Sequence, residues 1–308
     1  MALVWCVVKK IRTICLVTSF TLHYSLFMEK ALYLIPVTLG ETPVEQVLPS
    51  YNHDIICGIK YFIVENTRSA IRFLVKVDKD IDINSLVFYE LNEHTDLKTI
   101  GNFLDPISKG NSMGVISEAG CPAVADPGAA VVEMAQKKNI RVIPLVGPSS
   151  IIMAVMGSGF NGQSFAFNGY LPVKPGERAE KIRSLEMKAQ RENQTQLFIE
   201  APYRNLHMLE TILSSCRQDT LLCIAAGITC KEEFIHTHTV EEWKKLPPPP
   251  IDKVPAIFLL YRTGEQSGVR KESDCRVKNG SGKKDGAAKR QIRNERNVRT
   301  DSEKRQRF

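Results

Sequence analysis

Between Ala31 and Tyr261 short apolar runs alternate with longer amphipathic stretches, and this alternation constrains the fold more than any other feature of the chain. "ALYLIPV", "KYFIVE", "SLVFYELNE", "SMGVISEAG" and "IRVIPLVG" are near-continuous apolar runs in the first half. A strand apolar on both sides must be covered on both faces, as in a parallel sheet. Helical patterning fills the gaps. "VEQVLPSYNHDIICGI" reads as one helix, "TRSAIRFLVKV" as a second with Ser69 in its first turn, and "LKTIGNFLDPISKG" as a third closed by Gly110. "GAAVVEMAQKKN" reads as a fourth, with Lys in its last turn. Strands alternating with helices predict an α/β fold with a mainly parallel sheet in this half.

The pattern changes after "PLVGP", where a boundary is expected near Pro144 to Pro148. A helix rich in small residues, a Gly-rich turn and the aromatic strand "SFAFNGY" come first. "TQLFIEAP", "TLLCIAAGIT", "EEFIHTHT" and "AIFLLYR" then read as strands of mixed order. The expected organisation is two α/β domains, 28–144 with a mainly parallel sheet and 148–262 with a mixed sheet. Residues 1–27 are expected to be an extension ahead of the first core strand. Their apolar runs are broken by "KKIR", and neither reaches the length of a membrane span.

Charge separates the last segment from the rest. Residues 263–308 hold 14 Lys and Arg against 7 Asp and Glu, so they carry the whole net charge of +7, and residues 1–262 balance at 27 of each. With almost no large apolar residues, this basic tail is expected to be disordered. It reads as a solubilising tail or as an arm that binds phosphate without sequence preference. The eight cysteines make no CxxC pair. "HTH" at His236 to His238 offers two ligands on one strand face without a third, so no metal site is expected. Scattered cysteines without a clear signal peptide fit reduced thiols in the cytoplasm.

The chemistry has to come from loops. No GxGxxG follows the first strand, and no GxxxxGK[ST] occurs anywhere, which argues against a dinucleotide site and a Walker site. In a parallel sheet, ligands bind beyond the carboxyl ends of the strands. "ISEAGCPAVADPG" (116–128) sits at such an end and stays irregular for a dozen residues. Gly120 lets a ligand approach bare backbone, Pro122 fixes a turn, and Asp126 suits a cap for the helix beginning near Pro127. "VGPSS" ends the next strand, where Ser149 and Ser150 suit a helix cap or a ligand contact equally.

In order and spacing, "SEAGCPAVADPG", "VIPLVGPSS", "GSGF", "FNGYLP" and "IEAPYR" resemble the tetrapyrrole methylase superfamily of S-adenosylmethionine-dependent methyltransferases. Within it the motifs look most like the ribosomal RNA small-subunit methyltransferase I family, as a divergent branch. The resemblance covers roughly Ala31 to Tyr261. It implies the cofactor S-adenosyl-L-methionine in a cleft between two α/β domains, a homodimer, and transfer of methyl to a cytidine 2′-hydroxyl in 16S rRNA. Ala119, Gly120, Cys121 and Pro122 would line the methionine part, with Val124 and Ala125 nearby, and Ser149 and Ser150 would contact the cofactor from the second loop. Glu200 and Ala201 would approach the adenosine, Pro255 and Ala256 would close the adenine side, and Pro36 would lie under the substrate cleft.

The chain departs from the family in three places. The first loop, usually like "TPIGNLGD", is "IPVTLGETP"; the acidic-Asp-Thr-Arg motif is "ENTR", with Asn66 for Asp; and the Arg-Glu-Leu-Thr motif is "AAGIT", with Ala226 and Gly227 for Arg and Glu. These positions are expected on the substrate side. Candidates for a general base are Glu118, with the best address, and Glu65, Glu93 and His94. Glu65, Arg68, Glu93 and Arg204 are expected to face the substrate. The partner is rRNA or the small ribosomal subunit. The alternatives are a corrin- or porphyrin-like tetrapyrrole acceptor, or a cofactor-binding module without turnover.

Overall fold

The computed structural model describes residues 29–91, 95 and 100–262. The extension, the basic tail, Glu93 and His94 lie outside the described residues.

Five strands form the first sheet: β1 (Leu32–Ile35), β2 (Tyr61–Val64), β3 (Val87–Glu90), β4 (Met113–Ile116) and β5 (Val142–Pro144). Their order is β3-β2-β4-β1-β5, and every pairing is parallel. Successive side chains of a strand face opposite sides, and β1 shows the consequence. Tyr33 and Ile35 pack with Ile55, Ile56, Phe73 and Leu74 on one face. Leu32 and Leu34 pack with Val131 and Ala135 on the other. The first face is covered by α1 (Val44–Val47), α2 (Ser50–Cys57) and α3 (Thr67–Val77). The second is covered by α4 (Ile100–Phe103), α5 (Asp105–Ser108) and α6 (Gly128–Lys137).

Two expected helices are each broken in two. "VEQVLPSYNHDIICGI" forms α1 and α2 because Pro49 stands between them in extended backbone, with φ −61° and ψ 148°. Pro cannot continue a helix that needs its N–H, and it pushes the preceding residue out of the helical region. Leu48 is accordingly extended. In "LKTIGNFLDPISKG" the described part consists of the single turns α4 and α5, with Pro106 early in the second. Gly110 follows with φ 90°.

The second sheet holds β6 (Phe165–Tyr170), β7 (Thr195–Ile199), β8 (Leu221–Ala226), β9 (Phe234–Thr239) and β10 (Ala256–Tyr261), in the order β6-β7-β10-β8-β9. β6 and β7 are parallel and the other pairings are antiparallel, as the mixed pattern predicted. α7 (Ser150–Ser158) covers one face through Ala154 and Val155. The other face packs on α8 (Pro175–Glu192), α9 (Asn205–Ser215) and Trp243 of α10 (Val240–Trp243). Trp243 is buried, and its indole N–H donates to Leu222 O at 2.9 Å. Among the described residues no helix is long and apolar enough to cross a membrane.

β4 is closely packed at Gly114. A Cβ at Gly114 would lie 2.5 Å from Ile35 Cδ1 and 3.0 Å from Phe62 Cδ1, and both neighbours are fully buried. Overpacking of this kind costs about 1–3 kcal/mol. Gly114→Val is therefore expected to lower the free energy of unfolding by an amount in that range, read as a lower denaturant midpoint in chemical unfolding.

Candidate functional site

All five parallel strands end on the same edge. Loops 36–43, 65–66, 117–127 and 145–149 leave it from β1, β2, β4 and β5. Connections from β2 and β4, which are neighbours, run to opposite sides of the sheet, because β2 leads to the edge strand β3 and β4 leads across β1 to β5. Such a switch point opens a crevice at the carboxyl ends. Here it is lined by Val64, Glu65, Ser117, Asp126 and Gly128.

The loop after β4 is held in an unusual backbone conformation. Gly120, Ala123 and Ala125 have φ of 70°, 66° and 62°. The left-handed region suits glycine, and a residue with a Cβ pays on the order of 1 kcal/mol or more to enter it. Asp126 stabilises the conformation. Its carboxylate accepts from Ala123 N at 2.9 Å and from Gly128 N at 2.7 Å, so it braces the loop and serves the first turn of α6. Burial raises the Asp126 carboxyl above its usual range, against those backbone bonds.

Three loops meet around Gly120. Val37 N donates to Gly120 O at 2.9 Å in an isolated antiparallel bridge, which ties the loop after β1 to the loop after β4. The Cys121 thiol donates to Pro148 O at 3.4 Å, which ties in the loop after β5. Pro36 is buried, and a Cβ at Gly147 would collide with its ring. Ser149 caps α7, its hydroxyl accepting from Ile152 N at 3.5 Å, and Ser150 is the first helical residue. Ala119, Val124 and Ala125 are exposed, Pro122 is buried, and Ser117 Oγ is buried without a hydrogen-bond partner among the described residues.

The second sheet contributes its own edge. β7 ends at Ile199, ahead of Glu200 and Ala201, and β10 begins at Ala256, opposite Ala226 at the end of β8. Ile257 pairs with Ile199 in antiparallel register, so Glu200 follows β7 at the end of the sheet where β10 begins. Glu200 is buried. One oxygen accepts from Arg204 Nη2 at 2.6 Å and from Ala201 N at 2.7 Å, while Oε2 has no hydrogen-bond partner among the described residues. The ion pair raises the Arg204 guanidinium above its usual value. The Tyr203 ring lies 4.9 Å from Arg204 Cζ, and Tyr170 and Tyr203 are 65% and 66% exposed.

The loop after β1 joins the two edges. Thr42 Oγ1 donates to Thr229 O at 2.9 Å, and Leu39 packs against the cluster of the second sheet under α7. A Cβ at Gly120 would lie 3.0 Å from Leu39 Cδ2. The sequence marked this loop only as a departure from the family, and the bridging contacts of Val37, Leu39 and Thr42 are tertiary and carry no local signature. Ser117 was equally hidden, as one more small residue at the end of an apolar run.

Of the substrate-side candidates, Glu65 is half-buried in the switch-point crevice and accepts from Glu118 N at 3.2 Å. Burial holds its carboxyl above the usual range, and the charges of Asp126 and Glu118 add to this. Glu118 itself is exposed, and the hydrogen bond it makes to Glu65 runs from its backbone. Asn66 caps α3, its Oδ1 accepting from Arg68 N at 2.9 Å and Ser69 N at 3.2 Å. Arg68 is exposed on the first turn of the same helix. Asn and Asp serve almost equally as caps, so the change at Asn66 keeps the local structure. Gly227 has φ 57°, and its N–H donates to Pro255 O at 3.1 Å.

No family model matches the chain. Over 206 residues it is 27% identical to the ribosomal RNA small subunit methyltransferase I of Vibrio cholerae, covering 66% of this chain and 67% of the relative. Over 150 residues it is 31% identical to the protein of that name from Buchnera aphidicola, covering 49% and 51%. The chain thus spans about half to two thirds of the length of these relatives. Among solved structures it resembles the methyltransferase CobJ, with TM-score 0.50 and 14% identity, covering 75% of this chain and 93% of that one, a likeness of fold alone. The class that motifs and relatives define is a methyltransferase. Its curated relatives are the ribosomal RNA small subunit methyltransferases I, and the resemblance carried by the sequence motifs is borne out.

The cap on α3 yields a direct check. Asn66→Ala should destabilise the protein by about 1 kcal/mol, and Asn66→Asp should leave it unchanged within a few tenths. Thermal unfolding of the two variants beside the parent measures both.

Proposed function

We propose that the chain is an S-adenosylmethionine-dependent methyltransferase that modifies the 2′-hydroxyl of a cytidine in 16S rRNA, as a homodimer in the cytoplasm, with its two sheets as the cores of domains 28–144 and 148–262. One observation carries this reading: a loop with three left-handed residues, pinned to two neighbouring loops, stands at the carboxyl edge of a parallel sheet. Backbone strain of that kind clusters at ligand sites.

The residues fit the cofactor. Ala119, Gly120, Cys121, Pro122, Val124 and Ala125 offer backbone and small side chains for its methionine part, together with Ser149, Ser150 and Pro36. Glu200, Ala201, Pro255 and Ala256 would hold the adenosine. The unpartnered oxygens of Ser117 and Glu200 suit polar groups of a ligand, since a buried acceptor left unmet costs about 1–3 kcal/mol. When bound, S-adenosylmethionine supplies an electrophilic methyl group on a sulfonium. The chain must then align the acceptor oxygen, exclude water and take the acceptor's proton. Alignment can supply on the order of 7–11 kcal/mol of the barrier.

For the proton we favour Glu65 over Glu118. Glu65 is half-buried in the crevice with a raised carboxyl, whereas Glu118 is exposed. Arg68 and Arg204 suit phosphates of the substrate. Exposed Tyr170 and Tyr203 beside Arg204 form a surface on which an unpaired base can stack, which supports RNA as the acceptor. Exposed Val124, Val146, Ile152 and Met156 support contact between two copies.

The test is methylation of a small-subunit rRNA fragment by the purified protein, with the product located by mass analysis. A new 2′-O-methylcytidine is expected. Unmodified RNA under conditions where the cofactor binds would overturn the choice of acceptor and leave the tetrapyrrole alternative. A base acts only when ionised, so the rate should rise with pH through the raised Glu65 value and fall below it. Glu65→Gln should lower the rate by about 10²–10⁴-fold and remove that acidic limb.

A further inference from the structure

His53 and Cys57 lie four residues apart on α2, one turn above each other. Asp78, which ends α3, faces the same point. Cys57 Sγ is 3.8 Å from His53 Nε2 and 3.5 Å from Asp78 Oδ2, and the three donor atoms all lie within 4.8 Å of one another. Around a tetrahedral zinc ion, with Zn–S about 2.3 Å and Zn–N or Zn–O about 2.0–2.2 Å, the donor atoms stand about 3.4–3.6 Å apart. Two edges of that tetrahedron are therefore nearly formed. Closing the third takes a rotation of side chains that have room at the surface.

The supporting shell is also in place. Asp54 Oδ1 lies 3.3 Å from His53 Nδ1 and accepts a hydrogen bond from an Nδ1–H, the tautomer in which the Nε2 lone pair faces Cys57. A carboxylate behind a histidine in this way orients the ring for a metal. Asp78 Oδ1 accepts from Asp80 N at 2.9 Å, which holds the other oxygen toward Cys57. An ordinary thiol–carboxylate contact explains the pair of Cys57 and Asp78. It does not explain why a histidine with its tautomer set by Asp54 turns its free nitrogen to the same sulfur.

We propose that His53, Cys57 and Asp78 bind one Zn²⁺ ion, with a water as fourth ligand. On binding, the Cys57 thiol releases its proton to solvent and the ion takes the thiolate. α2 leads into the start of β2 and α3 ends on its way to the start of β3, so the site lies at the opposite edge of the first sheet from the loops around Gly120. The ion would clamp α2 to α3. The sequence hid the site because Asp78 is 21 residues beyond Cys57 and the HisxxxCys pair sits inside a helix without a second pair.

The experiment uses the full chain, stripped with a chelator and titrated with Co²⁺ as an optical stand-in for Zn²⁺. The expected result is a thiolate-to-cobalt charge-transfer band that saturates at one ion per chain and is removed by added Zn²⁺. Cys57→Ser should abolish the band, and His53→Ala should weaken binding at least tenfold. Zn²⁺ should raise the melting temperature of the parent and not that of Cys57→Ser; these side chains are at the surface, so the variants are expected to fold. Absence of the band, or an equal band in Cys57→Ser, would overturn the proposal. Neither outcome bears on methyl transfer, because the readouts are spectral and thermal.

Discussion

The hydrogen bond from Val37 N to Gly120 O is the contact on which the site depends. Two neighbouring parallel strands end side by side, and their loops would ordinarily diverge. This bridge crosses them instead. It fixes Gly120 in left-handed backbone under Leu39, and Leu39 in turn packs on the second sheet. A side chain at Gly120 would be strained by conformation and crowded by Leu39 and Pro148 O. The same small span of chain therefore sets the loop after β4 and the approach of the second sheet.

From this contact the asymmetry of the site follows. The first sheet offers strained backbone, small residues and a half-buried carboxylate at a switch point. The second offers a buried glutamate whose one oxygen is engaged by Arg204 and whose other is unmet. The departures from the related methyltransferases sit around these features rather than in them. Asn66 keeps the cap of α3, and Gly227 occupies a left-handed turn whose backbone pairs with Pro255. Both positions serve local backbone structure, Asn66 as a helix cap and Gly227 as a left-handed turn.

Much of the architecture was legible because burial on both faces writes itself into a strand. "LYLI" and "MGVI" can only be covered strands, and each is buried throughout. Helix ends were less legible. The pattern ran through Pro49 and Pro106, and the breaks came from backbone geometry that periodicity does not record. The loops at Gly120 and Ser149 were visible from their Gly, Pro and Ser content. Their mutual contacts were not, because Cys121 to Pro148 and Thr42 to Thr229 are tertiary and carry no local signature. For the same reason the half-burial of Glu65 near Asp126 and the exposure of Glu118 were not legible in the sequence.

The central claim is that the backbone around Gly120 holds S-adenosylmethionine. Calorimetric titration of the parent protein and of Gly120→Val with that cofactor tests it most directly, with circular dichroism to establish that the variant is folded. The account predicts a single saturable site in the parent and a loss of at least a hundredfold in affinity in the variant. Equal affinity in two folded proteins would contradict it.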